Sequence, residues 1–309
     1  LPDIASPDKF DRLSARGFTL GYIGSVTLLI LNLLFLQKSE WFGMDAPSLE
    51  PRYTLPFRVG FLTVGVWWAS WSLWPLMKLP KVPKTSSIKA NMLGKGYKEL
   101  RKVYQQVKQM KTLKLFLSSF FVYTMGVQTV MLMAILFANK EIQWPINPET
   151  GQPDTAGLII AVIIIQLLAS VGAFVMSRLS KKVGNIMVLK VVVFLWILLC
   201  VFAYFIHTPT EFYLLAAFVG FVMGGIQSMS RSTYSKMLPQ TEDHASYFSF
   251  YDVAEKVGIV LGTLAFGYIE DFTGTMRNSV LVLITFFVIG FILLQRVPKL
   301  KVLNPQETA

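Results

Sequence analysis

Long apolar runs, repeated along most of the chain, are the feature that most limits how this sequence folds. A helix needs about 20 mostly apolar residues to cross the roughly 30 Å hydrocarbon core of a bilayer. Barrel strands would instead show apolar and polar residues in alternation, which these runs lack, so the sequence predicts membrane-spanning helices. Eight spans are predicted: 17–36, 57–77, 115–138, 155–175, 186–206, 211–230, 247–269 and 279–294.

Composition and charge agree with a multi-pass membrane protein. Hydrophobic residues make up 53% of the chain and charged residues 15%, and the mean hydropathy is +0.52. The net charge of +11 is not spread evenly, because 22 of the 29 Lys and Arg residues lie in alternate loops. Those loops are 9–16, 78–114, 178–182, 231–236 and 296–301.

This asymmetry predicts that both ends of the chain and the long 78–114 loop face the cytoplasm. The basic residues thus report topology, and we expect no nucleic-acid partner. The host membrane stays open between a bacterial inner membrane and an organelle membrane.

Residues that could build an enzyme site are scarce. Cys200 is the single cysteine, and His207 and His244 are predicted on opposite sides of the membrane. No Walker loop or dinucleotide fingerprint occurs, so no cofactor or metal is expected. A membrane-embedded transferase or hydrolase would need a cluster of His, Asp or Glu at one membrane face, and the sequence supplies none.

Two segments resemble each other across the chain. "LPDIASPDKFDRLSARGFTLGYIG" from Leu1 and "LPQTEDHASYFSFYDVAEKVGIVLG" from Leu238 align so that Pro2 to Gly21 matches Pro239 to Gly258. Six predicted spans separate the two copies, which favours a six-helix unit repeated in the same orientation.

On that interpretation the eight spans are numbers five to twelve of a twelve-helix protein, and an eight-helix protein is the competing interpretation. The predicted division is 1–78, the end of a first bundle; 79–114, a cytoplasmic connector; and 115–309, a complete six-helix bundle with its tail. Apolar residues recur at helical spacing between Leu93 and Met110 among several lysines and arginines. They predict an amphipathic connector helix on the inner membrane surface.

Three charges interrupt the seventh span. Asp252, Glu255 and Lys256 fall within five positions, and an unpaired charge near mid-membrane costs at least ~2.5 to 3.5 kcal/mol. Asp252 and Lys256 are four residues apart, so an intrahelical pair is predicted, and Lys256 is expected to have an acidic or carbonyl partner within hydrogen-bond reach. Glu255 points towards the face of Gly258 and Gly262, where a neighbouring helix is expected to come close, with Arg231 as its expected partner. Two interpretations stay open: a latch that only holds helices together, or residues that contact solute or take part in coupling.

Polar amides interrupt four other spans. Asn32, Gln128, Gln166 and Gln227 favour a lined cavity for a small polar or zwitterionic solute. Hydrogen bonding between helices explains each single amide equally well. We expect Gln128, Gln166 and Gln227 to face a central cavity, with at least two of them close together.

Several motifs together resemble one family. They are "SARGFTLGYIG" from Ser14, "YTMGVQTV" from Tyr123, "GGIQSMSRSTYSKMLP" from Gly224 and "FYDVAEKVGIVLG" from Phe250. This set is similar to the Unknown Major Facilitator family, which is related to the vacuolar amino-acid effluxers of fungi. The resemblance covers nearly the whole chain and implies the major facilitator fold and secondary transport.

The chain departs from the family pattern at two places. Met125 stands where the family usually has an acidic residue before the "GVQT" glycine, so proton coupling at that position is excluded. The segment "SRLSKKVGN" from Ser177 resembles the superfamily's gating motif, but Ser177 replaces a glycine and Lys181 replaces the aspartate. The usual charge pairing of that gate is therefore in doubt.

The sequence predicts an all-α polytopic membrane protein of the major facilitator fold. Its predicted function is secondary transport of a small polar solute by alternating access, with amino-acid efflux as the implied activity and a proton or ion as the implied coupling partner. A non-transporting receptor or scaffold on the same fold is the alternative. The candidate solute or coupling residues are Asn32, Tyr123, Gln128, Gln166, Gln227, Asp252 and Lys256. The candidate gating or latch residues are Arg178, Lys181, Lys182, Arg231 and Glu255.

Overall fold

The computed structural model describes residues 1–43, 54–78, 92–146, 148, 151, 153, 157–241 and 243–299. The first part of the predicted connector, 79–91, lies outside these residues. In the described ranges, nine α-helices carry nearly all of the regular structure. They are α1 Phe10–Gln37, α2 Thr54–Lys78, α3 Met92–Gln109, α4 Lys111–Glu141, α5 Gly157–Val183, α6 Asn185–Phe205, α7 Pro209–Met237, α8 His244–Thr273 and α9 Met276–Gln295.

Every predicted span overlaps one long helix, and α3 is the predicted connector helix. Six of the helices are long and apolar enough to cross a membrane: α1, α4, α5, α6, α7 and α9. Helix α8 is more highly charged than these six helices, because each 18-residue stretch of it holds at least three charged side chains. In α2, four tryptophans and two prolines lower the hydropathy.

Short polar signals fix where several helices begin and end. Thr208 and Glu211 form a capping box at the start of α7, and the Asp243 side chain accepts from the Ser246 backbone N–H at the start of α8. Gly184 separates α5 from α6 with φ 85°, a left-handed conformation that favours glycine. Helical structure begins at equivalent positions of the two sequence copies, Pro7 and His244.

The chain divides into two compact units. The first contains residues 1–22 and those from 93 onward, and the second contains residues 23–92. Within the first unit, α5 packs on α7, α4 packs on α8 and α9, and α6 packs on α7 and α9. Aromatic side chains fill its interior: Trp196 stacks on Phe287 at 5.2 Å, and Phe120 stacks on Tyr251 at 4.2 Å.

The second unit contains the later part of α1 and all of α2. Thr63 donates to the Asn32 side-chain oxygen at 3.1 Å, which joins the two helices. Asn32 also donates to the Leu28 carbonyl at 2.9 Å. The compact units describe how the helices pack and are not the predicted domains. The predicted division at 78 and 114 therefore stays a prediction.

The connector helix α3 belongs to the first unit from residue 93 on. Its predicted apolar face is half confirmed: Val103 and Val107 are buried in the core, whereas Tyr97 and Tyr104 are exposed. Tyr247 donates to the Gln106 side chain at 3.0 Å, which ties α3 to the start of α8. Its location on the membrane surface stays a prediction.

Candidate functional site

A polar cavity of about 140 Å³ lies among α1, α4, α7 and α8 in the first unit. Its wall contains both polar and apolar side chains. A space of this size holds several water molecules or a small solute. We call it the polar cavity, and its lining residues are Phe18, Phe120, Tyr123, Thr124, Val127, Gln128, Ile226, Gln227, Ser230, Arg231, Tyr251 and Glu255.

The α4–α8 side of the cavity holds a carboxylate. Gln128 donates from Nε2 to Glu255 Oε1 at 2.6 Å, a short hydrogen bond to a charged acceptor. Gly258 and Gly262, on the adjoining face of α8, let α4 approach, because a Cβ atom at Gly262 would lie 2.7 Å from the Met125 carbonyl oxygen. The predicted close approach at these glycines is present in the structure.

On the α7 side, the cavity wall comes from the "GGIQSMSR" segment. Tyr123 and Ser230 share a hydrogen bond of 2.7 Å, and both side chains are buried. Tyr22 donates to the Gln227 side-chain oxygen, and Gln227 Nε2 lies 3.1 Å from the Met131 sulfur. These contacts fix the orientation of the Gln227 amide, with its nitrogen towards α4 and its oxygen towards α1.

The expected pair between Arg231 and Glu255 is wrong. Both residues line the polar cavity, but no ion pair within 4.0 Å joins them in the part of the chain that the structure describes. Glu255 is bound by Gln128, and the Arg231 guanidinium lies 5.6 Å from the ring centre of Phe248. The partner of Glu255 is a neutral amide, and the partner of Arg231 is an aromatic ring. Neither contact neutralises the charge, so both charged groups stay available to a ligand.

The expected intrahelical pair of Asp252 and Lys256 is also wrong. Both side chains are exposed on α8, and among the described residues neither forms an ion pair. An exposed i,i+4 pair contributes only about 0.3–0.5 kcal/mol, too little to hold two flexible side chains together. The acidic or carbonyl partner expected for Lys256 is not found among the side-chain hydrogen bonds of the described ranges.

The four amides divide between different surroundings. Gln128 and Gln227 line the same cavity, as expected for two of the three bundle amides. The side-chain oxygen of Gln166 is buried without a hydrogen-bond partner among the described residues, and Gln166 does not line the polar cavity. Asn32 lies in the second unit and bonds Thr63, which matches the interpretation as a helix-to-helix contact.

A second polar cluster lies at the end of the first unit where α5 and α7 finish and α6 begins. Asp11 of α1 accepts from Lys236 at 2.7 Å, from Ser180 at 2.9 Å and from Asn185 at 2.7 Å. Lys236 donates also to the Asn185 side-chain oxygen at 3.0 Å. Asp11 is 3% exposed, so this set, which we call the basic-end network, is largely buried.

The basic-end network contains none of the predicted gating residues. Arg178, Lys181 and Lys182 are all exposed, and the Arg178 guanidinium carbon lies 4.1 Å from the ring centre of Phe174. Two other residues of the "SRLSKKVGN" segment, Ser180 and Asn185, donate to Asp11 of α1. A signal was present in the sequence, since Asp11 is an acid among Lys9, Arg12 and Arg16, but nothing in the sequence identified its partners.

The geometry agrees with comparisons to known proteins. A family model described as "Vacuole effluxer Atg22 like" matches residues 4–305. The uncharacterized MFS-type transporter YxiO of Bacillus subtilis is 27% identical over 97% of this chain and 66% of its own length. Autophagy-related protein 22 of Vanderwaltozyma polyspora is 26% identical over 96% of this chain and 57% of its own length.

Among solved structures, the fucose:proton symporter FucP of E. coli superposes with a TM-score of 0.65 at 15% identity. The match covers 96% of this chain and 71% of FucP, which shows a shared fold. The curated relatives that it matches are longer, and this chain spans between about half and two thirds of their lengths. The chain belongs to the family described as vacuole effluxer Atg22 like, a family of multi-pass membrane transporters with the major facilitator fold rather than of enzymes.

Proposed function

We propose that this chain carries a small zwitterionic solute of the amino-acid class through the membrane by alternating access, with the polar cavity as the solute site. The observation that carries the proposal is the separation of two opposite charges that line one cavity from different helices. Arg231 and Glu255 both face a space of about 140 Å³ without forming an ion pair. A guanidinium and a carboxylate held apart complement the carboxylate and the ammonium of an amino acid.

The surrounding side chains suit such a ligand. Gln128 holds the Glu255 carboxylate in place, while Gln227, Tyr123 and Ser230 offer further hydrogen-bonding atoms. Buried polar groups of this kind reject solutes that cannot pair with them, because an unpaired buried group costs about 1–3 kcal/mol. The description of the family as vacuole effluxers and of its Bacillus subtilis relative as an MFS-type transporter supports movement of a solute rather than binding alone.

Coupling is assigned in this proposal to Glu255. Met125 occupies the position on α4 where the resembled family usually has an acid, and Gln128 lies one turn further along that helix. The carboxylate of the cavity comes from α8 instead, directly opposite Gln128. Protonation of Glu255 when the solute leaves would remove the negative charge that holds an ammonium group, which gives a route for proton exchange.

The basic-end network is proposed as the contact that closes one end of the cavity. Asp11 joins α1 to the ends of α5 and α7, and the sequence places α1 in the first half of the protein and the other two in the second half. Alternating access requires the two halves to separate at one end and then at the other. Breaking the contacts of Asp11 would release that end.

Counterflow of labelled amino acids into liposomes containing the intact protein tests the proposal. We expect exchange of neutral amino acids, and a tenfold to 100-fold loss of apparent affinity in Glu255→Gln and in Arg231→Gln, because each removes a charge-assisted hydrogen bond of about 1.5–3 kcal/mol. Asp271→Asn on the same helix and Arg296→Gln at the end of α9 remove one exposed charge each and serve as matched controls.

Three results would contradict the proposal in different ways. Exchange of uncharged solutes but not of amino acids would show that the protein transports and that the solute class is wrong. Saturable binding of amino acids with no exchange of any solute would favour the receptor or scaffold. Equal loss in the Asp271→Asn control would show that the charge effects are not specific to the cavity.

A further inference from the structure

A second cavity, outside the proposed solute site, opens between the first part of α1 and the last part of α5. It has a volume of about 510 Å³, and four of its lining side chains are cations: Arg12, Arg16, Arg178 and Lys181. No acidic residue lines it in the part of the chain that is described. We call this space the basic groove.

The four cations have no carboxylate partner within 4.0 Å among the described residues. The nearest acid in sequence, Asp11, is engaged with Lys236, Ser180 and Asn185 in the basic-end network. Arg12 and Arg16 are four residues apart on α1, an arrangement of like charges that destabilises a helix unless an anion lies between them. The groove therefore has a surplus of positive charge that an anionic ligand would offset.

Arg178 is held in a position that leaves its donors free. Its guanidinium carbon lies 4.1 Å from the centre of the Phe174 ring, a cation–π contact that holds the group beside the groove. A guanidinium carries five N–H donors, so donors remain available to a phosphate. Side-chain hydrogen bonds from Arg178 to other described residues are not observed.

The far part of the groove is apolar. Two contacts show that α1 and α5 run in opposite directions: Ser180 donates to Asp11, and Thr19 donates to the Ser170 carbonyl. Phe174 lies between these two contacts on α5, next to Arg178, and Leu20 lies about 12 Å along α1 from Arg12 by the helix rise. Leu20 is 69% exposed and Phe174 is 49% exposed, so both offer uncovered apolar surface.

From this order of charge and apolar surface, we infer that the basic groove binds an anionic phospholipid. Its phosphate lies among Arg12, Arg16, Arg178 and Lys181, and an acyl chain lies along Leu20 and Phe174. Basic pockets between transmembrane helices are the usual sites for acidic lipid headgroups. A soluble phosphate would be held by the cations alone and would leave the apolar part of the groove uncovered.

Native mass spectrometry of the intact protein in detergent tests this site, with phosphatidylglycerol and phosphatidylcholine of identical chains as probes. We expect phosphatidylglycerol to bind at least about tenfold more tightly. The double variant Arg12→Gln/Arg178→Gln should weaken that binding about 30-fold, on the basis of about 1 kcal/mol for each cation. Arg101→Gln/Lys108→Gln removes two exposed cations from α3 and is the matched control, with no loss expected.

Glycerol phosphate, added as the free headgroup, separates a lipid site from a phosphate site. Displacement of phosphatidylglycerol by equimolar glycerol phosphate would overturn the lipid assignment, as would equal phosphatidylglycerol binding by the wild type, the double variant and the control. Should the double variant fail to fold, Lys181→Gln alone is expected to weaken binding about fivefold. Arg12→Lys/Arg178→Lys keeps the charge and should keep most of the lipid preference; its complete loss would contradict the charge-based argument.

Discussion

The helix pairs α5–α7 and α4–α8 both pack through glycines four residues apart, but the atoms that meet are different. On α7, a Cβ atom at Gly220 or Gly224 would overlap backbone carbonyl oxygens of α5. Gly172 of α5 faces the α7 backbone in the same way. On α8, Gly262 is close to the α4 backbone, whereas a Cβ atom at Gly258 would meet the Thr124 side chain at 3.2 Å.

The ion pairs at the ends of the two helix pairs also differ: the one beside α5 and α7 is buried, and the one between α4 and α8 is exposed. The basic-end network bridges the ends of α5 and α7 through Asp11, whose side chain is 4% exposed. Lys140 and Glu270 join the other ends of α4 and α8 at 2.6 Å, but their side chains are 61% and 25% exposed. Buried charges depend on their partners far more than exposed charges do.

This difference indicates which helix pair is a scaffold and which can adjust. Main-chain contact at three glycines leaves α5 and α7 no room to change their separation. The α4–α8 pair is fixed at Gly262 and bounded by movable side chains at Gly258, one turn from Glu255 and its bond to Gln128. The proposed solute site thus lies beside the more adjustable of the two contacts.

The largest expected effect comes from Gly224→Ala. The added methyl group would overlap the Ala169 carbonyl oxygen, and backbone cannot move aside as a side chain can. We expect a loss of about 3 kcal/mol in the free energy of unfolding in mixed micelles, at the upper end for overpacking. Gly267→Ala, on the open side of α8, is the control and should be neutral or stabilising by up to about 1 kcal/mol. Similar stabilities for the two variants would break the comparison.

Asp11→Asn should have the next largest effect. It leaves the partly buried Lys236 ammonium without its counter-charge, and the new NH2 group replaces the acceptor of either Ser180 or Asn185, which bond different oxygens of Asp11. Removing one partner of a fully buried pair costs about 3–5 kcal/mol, and the partial exposure of Lys236 reduces the expected loss to about 2 kcal/mol. The same unfolding measurement on Asp8→Asn, an exposed neighbour, is the control. Equal effects in both variants would show that the contacts of Asp11 in the basic-end network add no stability beyond that of an exposed carboxylate.

Elements that follow from local pattern were predicted well. Apolar length located the eight spans, helical spacing located α3, and the spacing of Gly258 and Gly262 located the close approach of α8. Such features depend on residues that are near one another in sequence. They can be deduced from one segment at a time.

Partners from distant helices were not predictable in the same way. The sequence-based pairs, Asp252 with Lys256 and Glu255 with Arg231, relied on nearness in sequence or on a matching charge. The structure instead joins Glu255 to Gln128 and Asp11 to Lys236, contacts that span 127 and 225 residues. An amide can replace an arginine as the partner of a carboxylate, and only the packing of whole helices decides which one is within reach.

Gly258→Ala tests the adjustable contact more gently. The methyl group would lie 3.2 Å from Thr124 Cγ2, and small side-chain shifts can relieve this contact, so we expect a loss of about 1 kcal/mol or less. Amino-acid counterflow should fall several-fold, because a shift of α8 away from α4 moves Glu255 relative to Gln128 and disturbs their hydrogen bond. Thr124→Ser removes the obstructing methyl group but keeps the hydroxyl. The double variant should recover counterflow, and no recovery would contradict the proposed contact.

The smallest effect is expected for Lys140→Gln. This change breaks the ion pair to Glu270, but with side chains 61% and 25% exposed the pair should contribute only about 0.5 kcal/mol. At 1 M salt the screening length falls to about 3 Å, so the difference from the wild type should vanish. The loss in Asp11→Asn should persist at the same salt concentration, because the low exposure of Asp11 limits screening. The free energy of unfolding of both variants at low and high salt therefore compares the exposed ion pair of Lys140 with the buried one of Asp11. Equal salt dependence of the two losses would show that both ion pairs are equally screened by solvent.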